Sequence, residues 1–321
     1  MRLDRFVVAR LTPEYSRSQV ARMIRAGLVK VNGAVARAAY AIRGGDRVEI
    51  APLPVMVAPP PATSVPPAIE VIFEDAELIV VNKPAGMTVH PAPGNPHATL
   101  VDALLARFPE LSVMAEPDGV MRPGIVHRLD KETSGVMVVA RTPFARMGLS
   151  NQFKQRTVRK TYLAIVSGVV ARDSITVARP LGRHPTERKR MSIHSRNPRA
   201  AVSHVEVLAR FEREPGLVNG ATLVRVRPET GRTHQIRVHL ASVGHPCLGD
   251  KLYGGGAHRG GERADGFMRQ ALHALGLAID HPRSGVRLQF MAPPAADMAA
   301  FLTAHGMTAD PEALRAWLEY E

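Results

Sequence analysis

The run Gly124-Ile-Val-His127-Arg128-Leu129-Asp130-Lys131-Glu132-Thr133-Ser134-Gly135-Val-Met-Val-Val139 sets a carboxylate among basic residues, between two patterns of buried strand. An ionised Asp beside cationic side chains has its charged form favoured, which makes Asp130 available as a nucleophile or base at neutral pH. The plainer reading of the same residues is a turn that closes a strand end, since Asp, Ser and Gly are ordinary turn formers.

Two further stretches follow in the chain: Arg159-Lys-Thr-Tyr162-Leu-Ala-Ile-Val166, and Glu229-Thr-Gly-Arg232-Thr-His234-Gln235-Ile-Arg237-Val-His239-Leu240. With His127-Arg-Leu-Asp-Lys-Glu-Thr-Ser-Gly135, and in that order, they resemble the signature of the RluA-type pseudouridine synthases, enzymes that convert uridine in RNA to its C-glycoside isomer. The likeness runs from about Ile69 to Phe290-Met-Ala-Pro-Pro294.

Composition bounds the partner independently. The 321 residues hold 42 Lys plus Arg against 29 Asp plus Glu, a formal net charge of +13. That excess is the electrostatic footprint of a polyanion partner. An anionic membrane is the competitor, but no apolar run approaches the roughly 18 residues of a spanning helix. Met1-Arg-Leu-Asp-Arg5 lacks the apolar core of a signal peptide, so the cytoplasm is the expected compartment. Cys247 is the single cysteine, which excludes an intramolecular disulfide and a thiolate zinc cluster.

Residues 51–68 carry seven prolines. They deny backbone donors and favour an extended, semi-rigid spacer between a module of residues 1–50 and a domain of residues 69–321. In the module, Ser16 and Gln19 have capping-box spacing, Val20, Met23 and Ile24 recur at helical period, and Gly27 stops the helix. Arg17, Arg22 and Arg25 make the other face basic. Asn32-Gly33 predicts a type I′ hairpin, and Gly44-Gly-Asp46 precedes a short strand over 47–50. This pattern is similar to the small S-four-like module named after a small-subunit ribosomal protein, in which such a helix and hairpin grip folded RNA.

The large domain reads as α+β. Strand patterns cover 69–73, 78–81, 135–140, 162–166, 202–208 and 221–226; helical patterns cover 100–108 and 145–153. The resemblance implies a mixed, mainly antiparallel sheet with the active cleft across its middle.

It also implies the roles. Pseudouridylation breaks the N1–C1′ bond, turns the uracil and joins C5 to C1′ without change of redox state, so no cofactor is expected. A carboxylate must attack C1′ or C6, or take a proton on a glycal route, and the resemblance assigns Asp130. Tyr162, in an otherwise apolar strand, offers a ring to cover the base and a hydroxyl to reach it; a buried structural tyrosine is the alternative. Arg237 is by resemblance the cation paired with Asp130, its charge fixed and its planar fork matched to carboxylate. His234 and His239, five apart with no acidic or thiol partner, do not make a metal set.

A stacked uridine must leave the helix before Asp130 can reach it. In the family the residue at Arg128 helps expel the base or fills the space it leaves. Residues 181–199 hold six Lys or Arg and one acid, and Arg183, Arg188, Lys189 and Arg190 suit phosphate contacts. Arg232, Thr233, His234 and Gln235 could touch phosphate or base edges, or could cap the segment after Gly231. The loop Gly254-Gly-Gly-Ala-His-Arg-Gly-Gly261 lacks the ending of a nucleotide-binding loop, so no nucleotide cofactor is expected. Gly182-Arg-His-Pro-Thr-Glu-Arg-Lys-Arg-Met191 and Val89-His-Pro-Ala-Pro-Gly-Asn-Pro96 resemble the branch of the family called ribosomal large subunit pseudouridine synthase D. The implied partner is ribosomal RNA, or a precursor of the large subunit, at clustered uridines of the intersubunit-bridge stem-loop. Another ribosomal or transfer RNA site, an RNA N-glycosidase, and a non-catalytic ribosome-assembly protein are the alternatives.

Overall fold

The computed structural model describes residues 1–11, 17–51, 68–91, 95–114, 123–187, 189–213, 217, 219–254 and 266–318. Ser16 of the expected capping box, nearly all of the Pro-rich segment, Arg188 and most of the Gly-rich loop lie outside them.

Near the N-terminus, helical periodicity is realised as expected. Helices α1 (Leu3–Leu11) and α2 (Arg17–Arg25) pack Leu3, Val7, Val20, Met23 and Ile24 against Val29 and Val31. Gly27, at φ 74°, ends α2: its N–H bonds to Ile24 O and that of Leu28 to Met23 O, a Schellman close. Strands β1 (Val29–Val31) and β2 (Ala34–Val35) meet at Asn32 and Gly33, both at positive φ as a type I′ turn demands. With β3 (Val48–Ile50) they make a sheet of order β2-β1-β3.

The second sheet holds β4 (Glu70–Glu74), β5 (Leu78–Lys83), β6 (Ser134–Ala140), β7 (Arg159–Ser167) and β8 (Ser174–Val177). A separate hairpin, β9 (Gly182–Arg183) and β10 (Met191–Ser192), interrupts the order before β11 (Ser203–Phe211), β12 (Ala221–Pro228), β13 (Leu272–Asp280) and β14 (Arg287–Met291). The order is β4-β5-β6-β13-β7-β12-β11-β8, with β14 on the far part of β13. Every pair is antiparallel except β6 with β13, joined over His273–Ser134 and Ala274–Gly135. A Cβ at Gly135 (φ 117°) would run into the backbone of Ala274, so this seam requires glycine.

Side-chain alternation gives each face of β7 its own core. Leu163 and Ile165 join a cluster with Met298 and Leu302 of α6 (Ala296–Ala304) and Leu314 and Leu318 of α7 (Pro311–Leu318). Ala164 and Val166 instead meet Ile236 and Leu240 of α5 (Gln235–Ser242). A third cluster joins β5 and β6 to α3 (Leu100–Arg107) and α4 (Pro143–Gln155), capped by Thr99 and Thr142. The fold is α+β, and no described helix is long and apolar enough to cross a membrane.

One expectation needs correcting. The run Gly124 to Leu129, read as a strand pattern, makes only the single bridge Ile125–Val139. The His127 ring explains this, because its Nε2 accepts the Val138 N–H at 3.0 Å. A side chain thus takes the bond that a neighbouring strand would have offered.

Candidate active site

Asp130 sits in a turn, its carbonyl accepting from Thr133 N–H at 3.1 Å, so the turn-former reading is also true. What distinguishes this turn is the grip on it. Buried Lys83 donates from Nζ to Pro84 O (2.7 Å), Met87 O (2.9 Å) and Lys131 O (3.1 Å), the carbonyl next to Asp130. Burial draws its pKa down to about 7, with the charge of Glu132 in opposition; three carbonyl acceptors match the three protons of the ammonium form. Arg269 donates to Glu132 O at 2.9 Å, Gln270 to Thr133 Oγ1 at 3.2 Å, and Ser134 Oγ lies 2.9 Å from His273 Nδ1.

Arg237, in the first turn of α5 and 6% exposed, donates from Nη1 to Asp130 Oδ2 at 3.0 Å. Its Nε and Nη2 hold both oxygens of fully buried Asp250, at 2.7 and 2.8 Å. Burial opposes the charge of Arg237, but its bonds to Asp250 and the charges of Asp250 and Asp130 outweigh that and push its pKa up. Asp250 Oδ1 also accepts from the N–H groups of Leu252 and Tyr253.

His234 begins α5 in the left-handed region, φ 55°, without a capping bond from its side chain. Its Nδ1 lies 2.8 Å from Tyr253 Oη and its Nε2 3.9 Å from Asp130 Oδ1. Burial lowers its pKa and Asp130 partly restores it. Tyr162, on β7, is half-buried; burial first and Asp130 second push its phenol up, so the hydroxyl keeps its proton.

Asp130, Tyr162, Arg237, Arg128, Arg232 and His234 all line one open cleft, with Leu129, Pro228, Ile236 and Leu272 as its apolar walls. It lies over β7, β12 and β13, the middle of the sheet. Arg128 is exposed there; Arg232 is fixed by its N–H to Gln235 Oε1 (3.0 Å) and its Nε to Ala200 O (3.3 Å).

The other described cations singled out in the sequence do not line the cleft. Arg17 is 3.9 Å from Asp4 and exposed, as is Arg25, while Arg22 is half-buried on the same helix. Arg183 and Lys189 are exposed at the β9–β10 hairpin; Arg190 pairs with Glu187 at 2.9 Å and lies over the Tyr253 ring at 5.7 Å. His239 is structural: buried, with Nδ1 2.9 Å from Ser203 Oγ and Nε2 2.9 Å from Arg179 O. Sequence reasoning missed Asp250, Tyr253, Lys83 and Arg269. For Asp250 the available signal was Gly249, at φ 75° and pressed on the Arg269 backbone, just ahead of a lone acid.

Comparison with known proteins decides the family. Residues 77–242 match the family model described as RNA pseudouridylate synthase, and residues 1–48 match that of the S4 domain. The chain belongs to the RNA pseudouridylate synthase family. An uncharacterized RNA pseudouridine synthase of Bacillus subtilis is 42% identical over 94% of this synthase and 93% of its own length. The ribosomal large subunit pseudouridine synthase D of Nitrosomonas europaea is 42% identical over 95% of this chain and 84% of that one. Among solved structures, human RNA pseudouridylate synthase domain containing 1 aligns with a TM-score of 0.59 at 27% identity, over 79% of this chain and 97% of that one. The synthase is therefore an isomerase that acts on RNA.

Proposed function

We propose that the synthase isomerises clustered uridines in the intersubunit-bridge stem-loop of large-subunit ribosomal RNA, or of its precursor, with Asp130 as the attacking carboxylate. One observation carries the assignment: among the residues lining the cleft, Asp130 is the sole acid, with one oxygen taken by Arg237 and the other 3.9 Å from His234 Nε2. Tyr162 covers the uracil and donates from a hydroxyl that stays protonated, while the apolar walls keep water from the released base. Arg237 holds the carboxylate ionised and oriented. Arg128, exposed at the rim, assists extrusion of the uridine.

The substrate assignment leans on the relative named for the large ribosomal subunit and on the basic hairpin around Arg183 and Arg190. The reading also takes residues 1–50 and 69–321 as two units joined by the Pro-rich segment, the first adding an RNA grip through Arg17, Arg22 and Arg25.

Mapping pseudouridine in ribosomal RNA from a strain without this protein tests both parts. Sites in the large-subunit stem-loop should vanish, return with the wild-type gene, and stay absent with Asp130→Asn. Tyr162→Phe should slow conversion more than it weakens binding. Loss of pseudouridine only from transfer RNA would overturn the substrate, and full activity of Asp130→Asn would overturn the nucleophile.

A further inference from the structure

Arg237 occupies one oxygen of Asp130; the other, Oδ1, has no hydrogen-bond donor among the described residues, and His234 Nε2 stands 3.9 Å from it. What that nitrogen offers depends on the other end of the ring. Tyr253 Oη accepts the Met191 N–H at 2.9 Å and has one further polar neighbour among the described residues, His234 Nδ1 at 2.8 Å. The phenol proton therefore goes to Nδ1, and a neutral ring must carry its own proton on Nε2, facing Asp130.

The backbone points the same way. His234 holds φ 55°, a left-handed conformation that is strained for a residue with a Cβ, yet it makes no capping bond with its side chain. The conformation serves the placement of the ring. The charged and titratable groups facing it are Asp130 and Arg128 from the turn before β6, Arg237 from its own helix, and Asp250 and Tyr253 from the loop beyond. Burial keeps the ring neutral despite two carboxylates, because two arginines offset them.

We propose that His234 is a positioning residue for Asp130, presenting an Nε2–H to Oδ1 in a tautomer that Tyr253 sets from the far side of the ring. The inference rests on Asp130 being the attacking carboxylate. A hydrogen-bond donor at this place orients Oδ1 towards the substrate while Arg237 holds the carboxylate ionised through Oδ2. The 3.9 Å gap closes with a small rotation, as contacts in such sites tighten when substrate enters.

The test is a set of single-turnover rates on an RNA stem-loop between about pH 5 and pH 8, with binding measured separately. Tyr253→Phe keeps the ring that lies 5.1 Å from the Arg237 guanidinium but removes the proton that fixes Nδ1. Its neutral His234 can then turn a lone pair on Oδ1, so the rate should fall about tenfold at high pH. At low pH the ring takes a proton, recovers Nε2–H, and most of the missing rate should return. The ratio of variant to wild type therefore rises as pH falls, and a merely structural defect would not follow pH in this way. His234→Gln, whose amide can reach Oδ1, should keep more rate than His234→Ala, with affinity within about threefold for both. A Tyr253→Phe ratio constant across pH, or a His234→Ala defect confined to affinity, would overturn the proposal. Asp130→Asn run alongside separates the two readings: activity there removes the nucleophile itself, whereas an inactive Asp130→Asn with a pH-flat Tyr253→Phe removes only the role of His234.

Discussion

Asp250 grips the guanidinium of Arg237 along one edge, Nε at 2.7 Å and Nη2 at 2.8 Å, and thereby aims the remaining nitrogen at Asp130. Both partners are buried, so the pair is sensitive to removal of either. Asp250→Asn should lower the single-turnover rate by about a hundredfold and stability to urea by about 3 kcal/mol, because a buried arginine loses one of its two counter-charges and keeps only Asp130. Affinity for RNA should hold within a few-fold. Unchanged turnover in that variant would mean that Arg237 needs no such guide.

Arg128→Ala separates extrusion of the base from chemistry. On an intact stem-loop, where unstacking costs a few kcal/mol, the variant should be severely impaired. With the target uridine already mismatched, part of that cost is met beforehand, and much of the activity should return. Equal defects on both RNAs would place Arg128 in the chemical step.

Deleting residues 1–68 should leave a folded and active catalytic unit with poorer affinity. The two helices and hairpin of the first fifty residues close around their own apolar cluster, so their removal leaves the β7 cores intact. Every phosphate that the truncated protein no longer neutralises should reduce the logarithmic salt slope by about 0.7 to 0.9. Insoluble material after truncation would show that the two cores depend on each other.

Two histidines set a limit on acid stability. Burial pulls His127 down to about 3 and His273 down to about 4. Below about pH 6.5 the unfolded chain takes up protons that the folded one refuses, so stability falls as pH drops from there towards those values. Each should remove roughly 2 kcal/mol between pH 7 and pH 5. Urea midpoints across that range measure it, and His273→Gln should flatten the slope by one histidine; a slope equal to that of wild type would contradict this account.

The strands with one polar and one apolar neighbour, or with clear turn residues at each end, were legible from sequence, as were the α2 stop at Gly27 and the Asn32-Gly33 hairpin. Strand β13 was not: it is buried on both faces, so Leu272 to Ile279 shows no alternation to separate a strand from a helix. That Asp130, Tyr162, Arg237, Arg128 and His234 line one cleft was legible because they stand in the three motifs. Asp250 and Tyr253 were not, since each matters for the residue it holds, 13 and 19 positions earlier in the chain. Lys83 was hidden for a related reason: a lone lysine at the end of an apolar strand gives no sign of the three carbonyls it binds.

The seam between β6 and β13 has a kinetic meaning. Asp130 hangs from the β6 half of the sheet, while Tyr162 and Arg237 stand on β7 and α5 across the seam, and two register pairs join the halves. The spacing of Asp130 from Arg237 and Tyr162 is thus a spacing across that seam. Crowding introduced at Gly135 would open or close the reactive geometry while leaving the RNA-facing surface as it was. The joint between the two sides of the cleft is thus backbone against backbone.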